Sequence, residues 1–252
     1  MTKTLIVGNW KMNLNMHQAS LYVHELSEAV TVHRDVEVVL APTNLTLQSL
    51  SLQVKRRQFK LAAQNVYWRD EGAFTGEISA AMVRGIADYV IVGHSERRHI
   101  FGETDKDVRA KVQAVLRHGL IPILCVGETA NERIAGETKH VLHDQVTGGL
   151  ANVTSEEASR VIIAYEPVWA IGTGKNATTM NAVEAAQIIR HQVTGLFGES
   201  VAEKTRILYG GSVTGDNAGG YLREKEIAGL LVGGASITLQ EFTKIIQAGH
   251  KE

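Results

Sequence analysis

The sequence predicts an α/β protein in which eight parallel strands close into a single barrel, each strand followed by an outer helix, with residues 1–252 forming one domain. Three observations carry this expectation. Eight short, β-rich apolar runs alternate with stretches of helical periodicity from one end of the chain to the other. They recur at roughly 30 residues, the length of one βα unit. No Pro-rich or Ser-rich linker, low-complexity tract or shift of composition divides the 252 residues.

In chain order the strands are expected near Thr4–Gly8, Glu37–Ala41, Lys60–Gln64, Tyr89–Gly93, Ile121–Val126, Val161–Tyr165, Arg206–Tyr209 and Ile227–Val232. The runs VIIAY at Val161–Tyr165 and IAGLLV at Ile227–Val232 are apolar almost throughout, which suits strands covered on both faces. Between the first two strands, Ala19, Tyr22, Val23, Leu26 and Val30 share one helical face. After the sixth, Val183, Ala186, Ile189, Val193 and Leu196 do the same, in a helix that starts after the capping residues Thr178 and Thr179. Periodicity does not show closure, so a doubly wound open sheet stays open at this point. The number eight and the length favour the barrel, whose functional groups gather at the C-terminal ends of strands.

Composition excludes several classes. With 44% apolar residues the chain supports a sizeable core. Its 26 Lys and Arg against 27 Asp and Glu leave a formal net charge of -1, without the basic excess of a nucleic-acid binder. The KRR run at Lys55–Arg57 reads as a solvated helix end. The N-terminal MTKTLIVGNWK lacks the features of a signal peptide, and no apolar run approaches the ~18 residues of a membrane span. A soluble, cytoplasmic protein is expected. The single Cys125 excludes an internal disulfide and a CxxC metal site. There is no HExxH or GxSxG, and His140 and His143 read as surface residues, so no metal is expected.

Polar residues cluster where the strands end. Asn9 and Lys11 follow the first strand, His94, Ser95 and Glu96 the fourth, and Glu166 the sixth. The pairs Gly210–Gly211 and Gly233–Gly234 follow the seventh and eighth. A single His or Lys is more often structural or solvated; the shared position is the stronger signal. In this architecture a phosphate site often lies at the loops after strands seven and eight. GGSV at Gly210–Val213 and GGAS at Gly233–Ser236 fit, since glycines let backbone N–H groups approach an anion. The alternative is two helix-entry turns without a ligand. GTGKNA at Gly172–Ala177 looks like a dinucleotide fingerprint but starts seven residues past its strand, with Thr at 194 in place of an acidic residue. It reads better as part of a mobile lid: Pro167, Val168, Trp169, Ala170, Ile171, Gly172, Thr173, Gly174 and Lys175.

At these residues the chain resembles the triosephosphate isomerase family. The matching segments are GNWKMN at Gly8–Asn13, GAFTGEIS at Gly72–Ser79, VGHSERR at Val92–Arg98, CVGE at Cys125–Glu128, AYEPVWAIGTGK at Ala164–Lys175, YGGSV at Tyr209–Val213 and LVGGAS at Leu231–Ser236. Two departures stand out: Leu14, where the family often has Gly, and Ile237–Thr238, where it often has Leu-Lys. Both lie outside the reacting groups.

The resemblance implies a (β/α)8 TIM barrel that interconverts dihydroxyacetone phosphate and D-glyceraldehyde 3-phosphate in glycolysis and gluconeogenesis, without metal or cofactor. It implies Glu166 as the base, His94 as the electrophile kept neutral by a short helix, Lys11 as fixed positive charge and Asn9 as a hydrogen-bond donor to a substrate oxygen. The neutral imidazole and the closing lid are known properties of this very family, so both come with the resemblance. Glu96 resembles the residue paired with the site lysine, and Lys11, Asn9 and the backbone of Gly172, Ser212, Gly233 and Gly234 would bind the substrate and its phosphate. Lid closure is expected to desolvate Glu166 and raise its basicity. A homodimer is implied, with Thr75 on the Gln64–Ser79 loop reaching the partner's site. Arg98 is expected to be structural and Cys125 a small strand-end residue. Two rival readings are a Schiff-base aldolase using Lys11 and a non-catalytic phosphosugar-binding barrel.

Overall fold

The computed structural model describes residues 3–31, 34–171 and 176–250. Eight strands, β1 (Thr4–Asn9), β2 (Val36–Ala41), β3 (Phe59–Ala63), β4 (Tyr89–Val92), β5 (Ile121–Val126), β6 (Ile162–Tyr165), β7 (Ile207–Tyr209) and β8 (Gly229–Val232), pair in chain order and close into a barrel. Every pairing is parallel, including β8 back onto β1. This settles the closed barrel over the open sheet.

The apolar runs are buried on both faces because each face meets a different core. Leu5, Val7, Val39, Ile91, Ile123 and Leu208 belong to one buried cluster, drawn from the strands alone. The alternate residues Ile6, Val38, Leu40, Val90, Leu124 and Ile163 join a larger cluster shared with the helices. The period of two along each strand thus separates barrel interior from helix-covered exterior. Closure also needs a missing side chain: a Cβ on Gly229 would fall 1.9 Å from the Leu5 carbonyl oxygen.

Strand ends lie within two residues of expectation, with one informative shift. Gln64 falls just beyond β3, and its side-chain amide donates to the carbonyls of Lys11 (2.8 Å) and Ala41 (2.9 Å). It therefore braces the loop after β1 instead of continuing the ladder.

The helix Met16–Ala29 buries Ala19, Tyr22, Val23 and Leu26, and its C-cap Val30 is also buried. Its start is a reciprocal cap between Asn15 and Gln18. The helix Thr179–Phe197 starts at Thr178, whose hydroxyl accepts from the Asn181 N–H. Its buried face is Ala182, Ala185, Ala186, Ile189 and Val193, which corrects the sequence reading at two positions. Val183 is half-buried and Leu196 exposed, because small alanines allow the helix to approach its neighbours closely. Of the Lys55–Arg57 run, Lys55 and Arg57 are exposed just past the helix Asn44–Gln53, as expected, whereas Arg56 is half-buried and tied to Asp88 (2.9 Å) and the Ile86 carbonyl (2.6 Å), so its charge braces a turn. Among the described residues, no helix is long and apolar enough to cross a membrane.

Candidate active site

The C-terminal ends of the strands surround a cavity of about 620 Å³. Asn9, Lys11, His94, Glu96, Glu166, Ser212, Gly233 and Gly234 all line it, brought together from five strand ends. Gly172 lies outside the described residues, as do Thr173, Gly174 and Lys175. Of the remaining lid segment, Val168–Ala170 form one 3-10 turn after Pro167, and Val168 and Ile171 face the cavity. Thr75 is exposed on the loop between β3 and β4, away from this cavity.

The loop after β1 is pinned at several points. Lys11 has a left-handed backbone (φ 53°), uncommon for a residue with a side chain. Its N–H donates to Asn9 Oδ1 (3.1 Å), its carbonyl accepts from Gln64, and its Nζ lies 2.5 Å from Glu96 Oε1. Asn13 further ties the loop by donating to the Trp10 carbonyl (2.7 Å).

His94 follows β4 and caps the short helix Ser95–His99. Its Nδ1 accepts from the Glu96 N–H (3.2 Å), which places the ring proton on Nε2. That Nε2 lies 2.9 Å from Glu166 Oε1, while Glu166 Oε2 accepts from the Ser95 N–H (2.8 Å). Burial disfavours charge on either group, but their contact works against it: the carboxylate holds His94 above the ordinary imidazole value, and His94 with the Ser95 N–H holds Glu166 below the ordinary carboxylate value. The accepting Nδ1 opposes protonation of the ring. Neutral imidazole satisfies both hydrogen bonds of the ring, accepting at Nδ1 and donating from Nε2.

Glu166 is only 2% exposed, and its ionised form is favoured by the contacts to His94 and Ser95. Its backbone is fixed by donation to the Val126 carbonyl (2.7 Å), and Gly210 N–H donates to the Tyr165 carbonyl (2.7 Å).

Sequence reasoning missed the residues beneath this segment. Glu128, after β5, is fully buried; its Oε1 accepts from Tyr165 Oη (3.1 Å), Trp169 Nε1 (2.9 Å) and Arg133 Nη1 (3.1 Å). The Arg133 guanidinium also sits 4.3 Å above the Trp169 ring. A Cβ on neighbouring Gly127 would fall 1.7 Å from the Glu166 carbonyl oxygen. Both follow a strand, so the strand-end rule that selected His94 and Glu166 would have found them. Arg98 bonds the Gly93 carbonyl (2.8 Å) and Asp105 (2.6 Å), and Cys125 is fully buried with its thiol pushed up by burial. His140 is exposed beside Asp144. Among the described residues no cluster of His, Cys, Asp or Glu is placed to hold a metal.

A closed parallel (β/α)8 barrel with titratable groups at its C-terminal rim defines an enzyme of the TIM-barrel class. Comparison with known proteins is narrower. A family model described as triosephosphate isomerase matches residues 4–249. The chain is similar to the triosephosphate isomerases of Citrifermentans bemidjiense and Endomicrobium trichonymphae, each 47% identical over 98% of this chain and 99% of theirs. That of Caldanaerobacter subterraneus is 45% identical over the same shares. The chain belongs to the triosephosphate isomerase family.

Proposed function

We propose that this chain, as one catalytic domain over residues 1–252, interconverts dihydroxyacetone phosphate and D-glyceraldehyde 3-phosphate through an enediolate, in glycolysis and gluconeogenesis. The single observation that carries the reading is the meeting of Glu166, His94 and Lys11 around one cavity floored by glycine pairs. Glu166 takes a proton from one carbon as the neighbouring carbonyl gains charge, then returns it to the other carbon. His94 Nε2–H and Asn9 donate to the oxygens on which that charge develops, and Lys11 supplies a fixed cation beside them. Glu96 positions Lys11 through the ion pair. Backbone N–H groups near Ser212, Gly233 and Gly234, with that of Gly172, hold the phosphate.

Glu166 must leave His94 to reach a substrate carbon. That release removes the carboxylate that favours imidazolium, and leaves a neutral ring suited to donate from Nε2. The segment Pro167–Lys175 acts as the lid that excludes water and suppresses loss of phosphate from the enediolate.

The active form is a homodimer in the cytoplasm. Lys11 and His94 also line a second cavity, of about 370 Å³, with Asn65, Gly76, Glu77 and Arg97. Met12 (93% exposed) and Phe101, which also line it, leave apolar surface there, and the partner's Thr75 loop would cover it. The aldolase reading is disfavoured because Lys11 Nζ is engaged with Glu96 and not free to attack a carbonyl. A pure binding role does not require a buried carboxylate within reach of an imidazole.

A coupled assay with glyceraldehyde 3-phosphate tests the reading. Glu166→Gln is expected to keep substrate binding and lose at least ~10²–10⁴-fold in kcat. Near-parental turnover in that variant would remove Glu166 from its role.

A further inference from the structure

Behind the segment that carries Glu166 lies a separate cavity of about 370 Å³ that shares no lining residue with the catalytic one. Its walls come from Arg133, Gly136, the start of the helix Thr138–Leu150 at Thr138 and Lys139, Tyr165, and the first turns of the helix Thr179–Phe197. Two features make it more than a surface dent. Two cations, Arg133 and Lys139, line it against one carboxylate, Glu184, while Arg133 is also paired with the buried Glu128 below it. And its floor is the anchor of the lid segment: Arg133 and Tyr165 both bond Glu128 Oε1, the same oxygen that accepts from Trp169 Nε1.

We propose that this cavity is a second, non-catalytic site for a small ligand bearing an oxyanion, a carboxylate or a phosphate, whose binding is transmitted to Trp169 through Arg133. The oxyanion bridges Arg133 and Lys139. Hydroxyls elsewhere on the ligand meet Thr138, Asn181 and Glu184, while Ala185 and Ile188 cover its carbon skeleton.

The fork of the guanidinium makes the coupling direct. Arg133 has five N–H donors and uses Nη1 on Glu128, so a ligand oxyanion engages the other edge without displacing that bond. Displacement is opposed strongly, because Glu128 is fully buried and its Oε2 has no hydrogen-bond partner among the described residues. Stripping Arg133 away would leave an uncompensated charge there. Binding therefore fixes the guanidinium over the indole ring of Trp169 and stiffens the anchor.

The test needs no isomerase activity. Tryptophan emission is followed while the protein is titrated with citrate and, separately, with inorganic phosphate, in the parent, Lys139→Glu, Lys11→Met and Trp169→Phe. A saturable change is expected in the parent with at least one anion, and the responding anion assigns the ligand to the carboxylate or the phosphate class. Lys139→Glu is expected to raise the apparent Kd at least about tenfold, since it replaces an attractive charge by a repulsive one. Lys11→Met should leave the response in place, and Trp169→Phe should abolish it. No saturable change in the parent with either anion overturns the proposal. So does a response that Lys11→Met removes and Lys139→Glu retains, which would place the anion in the catalytic cavity.

Discussion

Lys11 and Glu166 face the same cavity and are secured in opposite ways. Lys11 is fixed at every level: a left-handed backbone, an N–H on Asn9, a carbonyl under Gln64 and an ammonium on Glu96. Glu166 has a rigid backbone and a loosely committed side chain. Below it, Glu128 and Gly127 set the path of the chain. Its carboxylate bonds one backbone N–H and one imidazole, and no permanent cation among the described residues pairs with it. A charge that only has to be present is locked down. A group that has to move between two carbons is left on partners it can give up.

The largest effect is expected from breaking the rigid half of that contrast for Glu166. In Gly127→Ala the new Cβ would meet the Glu166 carbonyl oxygen at 1.7 Å and its carbonyl carbon at 2.6 Å. These are backbone atoms, so no side-chain rotation relieves the clash. The variant is expected to lose more than ~3 kcal/mol of stability. What folds should turn over ~10²-fold more slowly, because the base is displaced by about an ångström. Gly195→Ala is the matched control: it lies in the helix Thr179–Phe197, its Cβ would meet nothing within 4 Å, and it is expected to gain up to ~1 kcal/mol. Thermal melts and kcat on the pair decide; a parental Tm for Gly127→Ala would show that the close approach imposes no constraint.

A second expectation concerns the loosely committed side chain. Because Glu166 raises the pKa of His94, Glu166→Gln should lower it, and a ring signal followed by NMR across pH reports the change. The sign for stability follows from the two directions. The raised His94 contributes fully below the ordinary imidazole value, and its share is lost as pH rises through the elevated one. The lowered Glu166 contributes above the ordinary carboxylate value, and its share is lost as pH falls through the depressed one. The parent should therefore lose stability on both sides of the range between the ordinary carboxylate and imidazole values, and Glu166→Gln should flatten both losses. An unchanged His94 titration in the variant would mean the two side chains are not in contact in solution.

Much of this was legible in the sequence, for a physical reason. Strands buried on both faces must be apolar throughout, so VIIAY and IAGLLV announce themselves, and a polar residue directly after such a run stands out at the rim. Asn9, His94 and Glu166 are of that kind. Glu128 is as well, yet its role stayed hidden, because it lies in its partners: Tyr165, Trp169 and Arg133 are scattered in sequence and meet only in the folded chain. Leu196 was misplaced because hydrophobicity ranks it above Ala182 and Ala185, whereas close helix packing selects for small size. The resting contact of Glu166 with His94 is a matter of a few ångströms between side chains far apart in sequence, and no pattern encodes it.

The smallest expected effect sharpens the account of the rigid half. Leu14 stands in the same loop as Lys11 and shares its left-handed backbone, at φ 64°. That conformation costs a side-chain-bearing residue about 1–2 kcal/mol. Leu14 is also half-buried against the core, which at a fraction of the ~1.5–3 kcal/mol for full burial returns a similar amount. Leu14→Gly gives up both terms at once and should change stability by no more than ~1 kcal/mol. Leu14→Ala keeps the strain and gives up the packing, so it should be the less stable of the two. Urea unfolding of both variants measures the difference. If Ala proves at least as stable as Gly, the backbone at position 14 is not strained, and the loop that carries Lys11 is shaped by its hydrogen bonds to Asn9 and Gln64 alone.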